Sequence, residues 1–427
     1  PIPLAIGADA PAADLFPMLE GVGFLPVQAA DAAAAPPGPR DERPPGPMQL
    51  KPGMPVGASF ISGDLDVSGT GTLTVVDGDA ALAFGHELIG SGATDIPLVA
   101  GEVQAVVPSL AISFRLTSAG PVIGRIVQDR STGILAKLGE EAPTFPCRVR
   151  IKGAVEEEYS YRIAGHWRTA PMFTEMALDA SSSRWEAGEE RHTLAARLSI
   201  SVKDRQEPIV RQNVYATTSV MAPAMDLGAL AVEALVTNPY REVEITGVDY
   251  ELEVIPGFQA ALIESAWADR AEAKPGSEVN VYVRLIEYRG EELVKKLRLK
   301  IPETAEPGSR VEILVCDALI NRSIKRGLDP GLFAPRSFEH VVRVLEEMES
   351  NRNLVMRASF FEEGVRYAGG AMPALPPSAL SILRHNGTGG RAAPLRTDVV
   401  QSVETPWVLE GSQSLFITIE EPETYKP

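Results

Sequence analysis

Apolar and polar residues alternate with a period of two along most of this chain, a pattern that predicts strands joined by tight turns. The sharpest case is the run GTLTVVDGDAALAFGH at residues 71–86. There Thr72, Thr74 and Val76 alternate with Leu73 and Val75, and Asp77-Gly78-Asp79 supplies a hairpin turn in which Gly accepts a positive φ. Residues 80–84 run back as a small apolar strand and deliver His86 onto a glycine-flanked turn. Further strands are expected at 54–60, 102–107, 110–116 and 122–128, a spacing that suits one small β-barrel or half-barrel. Residues 147–153, 159–163, 192–202 and 211–218 read as antiparallel strands, and 243–255 and 260–266 continue the β texture. From residue 273 a Pro-Gly turn leads into strict alternation, answered at 295–301, and the turn-plus-strand cadence returns after Ile301; this is how a small immunoglobulin-like sandwich reads.

Helical periods are few. Residues 224–237 place Leu227, Leu230, Val232 and Leu235 on one side, and 338–350 place Val341, Val342 and Leu345 inward behind an N-cap at Ser337. A short helix is expected at 377–385 and a last strand at 414–420. Near the start, Ala12, Leu15, Phe16, Met18 and Leu19 recur at helical spacing before Gly21 stops the run. Residues 30–47 are an Ala/Pro-rich segment that cannot build a core and reads as an exposed linker. The organisation predicted is therefore an apolar, helical segment at 1–29, the linker at 30–47, a β-domain at 48–150, an antiparallel β-domain with one helix at 151–266, and a sandwich with helices at 267–427.

Composition agrees with a mainly β protein: 44% of residues are hydrophobic, enough for ordinary cores, and Gly 37 with Pro 35 favours turns over long helices. The formal charge of −17 argues against nucleic acid or an anionic membrane surface as partner. No apolar stretch long enough for a transmembrane helix is present. Cys147 and Cys316, the two cysteines, are too few for a disulfide-stapled fold or a cysteine zinc site and read as free thiols in different domains. The five histidines share no metal-ligand spacing, so neither a metal nor another cofactor is expected.

Residues 69–139 resemble the SpoIVB-type serine peptidases, extracytoplasmic bacterial enzymes related to the chymotrypsin-like β-barrels. The family order of GTLT, then (A/F)xGH, then a following IG…GI.G segment, appears here at Gly71–Thr74, Ala83–His86 and Ile123–Gly139. The resemblance implies a chymotrypsin-like half-barrel, a protein or peptide substrate cleaved through an acyl-enzyme, an extracytoplasmic location, and His86 as general base of a serine triad. Asp129 and Asp95 are the acids of the same segment. Asp129 is the candidate to orient His86, although beside Arg130 it also reads as half of an ion pair at a strand end, and Asp95 reads equally as a turn residue.

The chain departs from the family at the nucleophile, which belongs in a Gly-x-Ser-Gly-x-Pro loop. Ser-Gly occurs at Ser62, Ser68 and Ser91, never followed by that proline. Ser91 and Ser131, the hydroxyls nearest the motifs, do not sit on such an elbow, and the oxyanion-hole amides that accompany it are missing too. Two readings stay open. Either the serine lies on a segment upstream of Pro1, which self-processing could leave as a bound amino-terminal fragment, or the chain is a non-catalytic relative that serves as a scaffold or assembly subunit. On residue chemistry alone, His86 reads first as a polar loop histidine; the resemblance is what makes it a candidate base.

Overall fold

The computed structural model describes residues 2–8, 19, 24–28, 50–107, 114–153, 156–182, 191–217, 224–328, 335–367, 370–373, 375–376, 378 and 392–421. The protein is mainly β and divides into two compact units, each discontinuous in sequence: residues 1–256 with 335–348, and residues 257–334 with 349–427.

The first unit begins with β1 (Ile2–Ala8) and β2 (Phe24–Gln28), which pair in parallel. The six strands that follow are β3 (Pro55–Gly63), β4 (Leu65–Asp77), β5 (Ala80–Ala83), β6 (Gly92–Val107), β7 (Phe114–Arg130) and β8 (Gly133–Leu138). They pair antiparallel in the closed order β3-β4-β5-β8-β7-β6, and β6 returns to β3. Closure leaves the ring without an edge. Ala81 faces Ala136, Ala136 faces Ile126, and Ile126 faces Ile96. All four are buried, so a layer of side chains follows four strands of the ring. The β4–β5 hairpin turns at Asp77-Gly78-Asp79, with Gly78 at φ +60°, as its sequence predicts.

The same sheet extends from β3 through β10 (Glu156–Ala164), β9 (Thr144–Lys152), β13 (Ile245–Ile255) and β11 (His192–Val202) to β12 (Ile209–Thr217). Not all of this is antiparallel, as the alternation suggested: β13 runs parallel to β9, with Val248 opposite Cys147. Helix α1 (Ala170–Ser182) covers the sheet. Phe173 stacks on Phe60 at 5.1 Å with the rings 13° apart. The run expected as one helix at 224–237 is a π-turn at Ala224–Ala229 followed by α2 (Leu230–Val236). The helix Phe338–Glu346 joins this core from the second stretch of chain, capped by Ser337 as expected. Arg211 donates to the carbonyl of Leu345 at 2.9 Å, and the Arg241 guanidinium lies 3.8 Å from the Phe338 ring centre.

The second unit is a two-sheet sandwich. One sheet orders β17 (Glu292–Lys300), β16 (Glu278–Glu287), β14 (Ala260–Ala268) and β22 (Val408–Glu410). The other orders β15 (Glu272–Ala273), β23 (Ser412–Ile419), β18 (Arg310–Cys316), β19 (Asn353–Tyr367) and β20 (Gly370–Pro373), with β21 (Ala392–Glu404) also on β19. Val279, Val281, Val283 and Leu285 of β16 share one buried core with Ile313 and Val315 of β18 and Ile417 and Ile419 of β23. Helix α3 (Ala318–Leu328) starts at Asp317, whose carboxylate accepts the amide of Ile320 at 2.8 Å. The helix expected at 377–385 lies outside the described residues apart from Ser378, and most of the helical run at 12–19 does likewise. Cys147 and Cys316 are free and buried, one in each unit.

Candidate functional site: the His86 loop

The strands β5 and β6 are consecutive in the chain but not neighbours in the ring, so residues 84–91 cross from one to the other. A crossing loop has no ladder to satisfy its amides, and buried ones need another acceptor. Asp129, the second-to-last residue of β7 and fully buried, provides it. Its Oδ1 accepts the amide of Leu88 at 2.7 Å, and its Oδ2 accepts those of Ile89 at 2.8 Å and Ser91 at 3.2 Å. The Ser91 hydroxyl donates to Oδ2 at 3.4 Å. Arg168 holds the loop from another side, its Nη1 donating to the carbonyl of Ile89 at 3.1 Å. Leu88 is buried and anchors the loop to the core.

The loop's backbone explains its glycines. Gly85, Gly90 and Gly92 have φ of +73°, +64° and +74°, the left-handed region that glycine enters without steric cost. Phe84 is also left-handed, at +76°, an unfavourable setting for a residue with a Cβ. Its ring explains why it persists. A Cβ on Gly71 would lie 2.7 Å from that ring, so the absence of a side chain on β4 makes the slot that Phe84 fills. The His86 ring meets Phe84 edge-on, with centroids 5.9 Å apart.

His86 is exposed, and its Nδ1 lies 2.7 Å from the carbonyl oxygen of Glu87. A carbonyl can only accept, so Nδ1 carries the proton of the neutral ring and Nε2 carries the lone pair. Among the described residues Nε2 has no hydrogen-bond partner. This is the protonation pattern a general base requires, fixed here by a backbone carbonyl.

The structure does not join Asp129 to His86 by a hydrogen bond. Both carboxylate oxygens serve the loop backbone, so Asp129 positions the segment that bears His86. The expected Asp129–Arg130 ion pair is absent, because Asp129 is buried against the loop while Arg130 is exposed. Asp95 lies in β6 and not in a turn, paired with Arg125 at 2.7 Å. Neither Ser91 nor Ser131 is hydrogen-bonded to the His86 ring, and Ser131 is exposed in the turn between β7 and β8.

Sequence reasoning set His166 aside because it shares no spacing with the other histidines. It stands just before α1, two residues from Arg168, and is only 5% exposed. Among the described residues neither of its ring nitrogens has a hydrogen-bond partner. Burial, and then Arg168, push its pKa below the ordinary histidine value, while the charges of Asp129 and Asp95 act in the opposite direction. Among the described residues there is no group of three or more His, Cys, Asp or Glu side chains placed to hold a metal ion. Nor is any described helix long and apolar enough to cross a membrane.

No protein-family model matches the chain, and neither does any curated protein or solved structure.

Proposed function

We propose that the ring of residues 55–138 is the base-bearing part of an extracytoplasmic serine peptidase of the SpoIVB type, acting on protein or peptide substrates. One observation carries the reading: His86 stands on a clamped crossing loop with Nδ1 tied to a backbone carbonyl and Nε2 free and exposed. In this role Nε2 takes the proton of a serine hydroxyl as the serine attacks the peptide carbonyl, then returns it to the leaving amine. The nucleophile is a serine from outside these residues, since neither Ser91 nor Ser131 meets His86. Asp129 is a positioning residue that acts through the loop.

A second reading has an observation of its own. Among the described residues the His86 ring is hydrogen-bonded to no carboxylate and no hydroxyl, which suits a barrel kept as an assembly scaffold without catalysis. Labelling the native protein, with whatever copurifies, by a fluorophosphonate probe separates the two. The peptidase reading expects a labelled serine whose labelling is lost in His86→Ala. An unlabelled preparation, or labelling indifferent to His86→Ala, favours the scaffold.

A further inference from the structure

The basic run at 295–300, Lys-Lys-Leu-Arg-Leu-Lys, is set in a chain with 40 Lys and Arg against 57 Asp and Glu. The second unit shows where it stands. β17 is the last strand of its sheet: among the described residues it pairs with β16 alone, without a bulge, and its other edge is unpaired. Leu297 and Leu299 point into the sandwich core, so Lys296, Arg298 and Lys300 share the outer face, all exposed and about 7 Å apart along the strand. Among the described residues none of the three is in an ion pair, although Lys300 lies opposite Glu278. Lys296 lies opposite Tyr282, and Tyr282 opposite Trp267. The Lys296 ammonium stands 6.0 Å from the centre of the Tyr282 ring, which lies 5.8 Å from that of Trp267 with the planes 17° apart. Arg284 on the neighbouring row differs, because Glu264 and Glu292, each 3.9 Å away, answer its charge.

We propose that β17 is a docking edge for an extended segment of a partner protein that carries Asp or Glu at every second position. An edge strand turns unpaired N–H and C=O groups outward, a template for one more strand. Lysine on such an edge ordinarily keeps other strands off, because a neutral or basic strand meets cations it cannot answer. A strand with acidic residues at i, i+2 and i+4 places one carboxylate beside each of Lys296, Arg298 and Lys300, so the charges that exclude other strands select this one. Opposite charges on facing positions stabilise a strand pair, and like charges destabilise it. A second copy offering its own β17 would bring like charges together, which leaves a different, acidic chain as the occupant. The Tyr282 ring steadies the Lys296 ammonium on that face before the partner arrives. The proposal does not depend on the role of His86, which lies in the other unit.

The test is an NMR titration of the full chain with short synthetic peptides: one alternating Glu and Val, one alternating Lys and Val, and a fully N-methylated form of the first that keeps its charge but cannot donate a strand's hydrogen bonds. The expected result is saturable binding of the unmethylated acidic peptide alone, with the amides of β17 shifting and gaining protection against exchange. In the triple variant Lys296→Glu, Arg298→Glu, Lys300→Glu, affinity for that peptide should fall at least about tenfold, the worth of three opposite-charge cross-strand pairs, and the basic peptide should bind in its place. No saturation up to about 1 mM overturns the proposal, as does equal binding of the basic peptide. Equal binding of the methylated peptide also overturns it, since the surface would then attract any polyanion without adding a strand. Self-association of the protein through β17 overturns it too, because a second copy would then hold the edge. Should the triple variant not fold, Lys296→Gln and Arg298→Gln decide singly: each should weaken binding of the acidic peptide, and unchanged affinity in both refutes the proposal.

Discussion

Replacing Asp129 by Asn tests the clamp with almost no change in shape. An amide side chain keeps one acceptor oxygen and turns the other position into a donor. If the oxygen stays where Oδ2 now serves Ile89 and Ser91, the new NH2 group faces the buried amide of Leu88, donor against donor. An unsatisfied buried amide costs about 1–3 kcal/mol, and hydrogen bonds to a charged acceptor, each worth about 1.5–3 kcal/mol, become neutral ones. Together these put the local loss at about 2–4 kcal/mol. At about 1.4 kcal/mol per factor of ten, protection of the Leu88 amide against hydrogen exchange should fall about 30- to 1,000-fold. The core strands should keep theirs, because local opening need not unfold the unit. Exchange measured near neutral pH with residue resolution reads this directly. Protection of Leu88 and Ile89 within threefold of the parent protein would refute the idea that Asp129 holds the loop.

Other outcomes follow from the same geometry. Gly71→Ala puts a methyl group 2.7 Å from the Phe84 ring and should destabilise the first unit by about 1–3 kcal/mol, the usual cost of overpacking; it should also shift the His86 ring resonances, and an unmoved His86 spectrum would mean that Phe84 does not set its position. Tyr250→Phe removes a fully buried hydroxyl that has no hydrogen-bond partner among the described residues and should leave thermal unfolding unchanged or raise its midpoint, whereas a loss above about 1 kcal/mol would point to a partner outside them. Gly228→Ala, whose methyl would sit 1.7 Å from that hydroxyl, should be strongly destabilising and partly rescued by Tyr250→Phe in a double-mutant cycle. Burial raises both thiols, Cys316 to about 12 and Cys147 further, so a thiol reagent at neutral pH should modify neither until the protein is unfolded. Below about pH 6.5 the depressed pKa of His166 should also lower stability, because the unfolded chain then binds a proton that the folded one resists.

Local pattern made the hairpin at 71–86 legible, since alternation and an Asp-Gly turn act within a few residues. Closure of the ring was not legible in the same way: the β3–β4 hairpin is local, but β5 pairs with β8 across some fifty residues of chain, and no residue advertises its distant partner. Helix α1 escaped notice because Phe173, Thr174, Met176, Ala177, Leu178 and Asp179 are all buried, which erases the one-sided stripe by which helices are read. Pro171 in its first turn was the available signal. Strand β21 mixes polar and apolar residues too evenly to announce a face, and the return of residues 335–348 to the first unit has no compositional mark. At the site, His86 was visible from its glycines and the strand before it. Asp129 was visible as an acid of the same segment, a candidate to orient His86 or a partner for Arg130, but the loop amides it accepts were not, because they stand 38 to 41 positions away. His166 was hidden because a lone buried histidine carries no pattern at all.

The central claim is that the loop presents His86 with Nδ1 protonated and Nε2 free. Long-range proton–nitrogen correlation NMR of the His86 ring, recorded above its pKa, tests it most directly. The account requires one nitrogen, Nδ1, to show the shift of a protonated nitrogen and Nε2 that of a bare one, and it requires that distinction to weaken in Asp129→Asn as the loop loosens. Two averaged nitrogen shifts, or a ring protonated at Nε2, would contradict it.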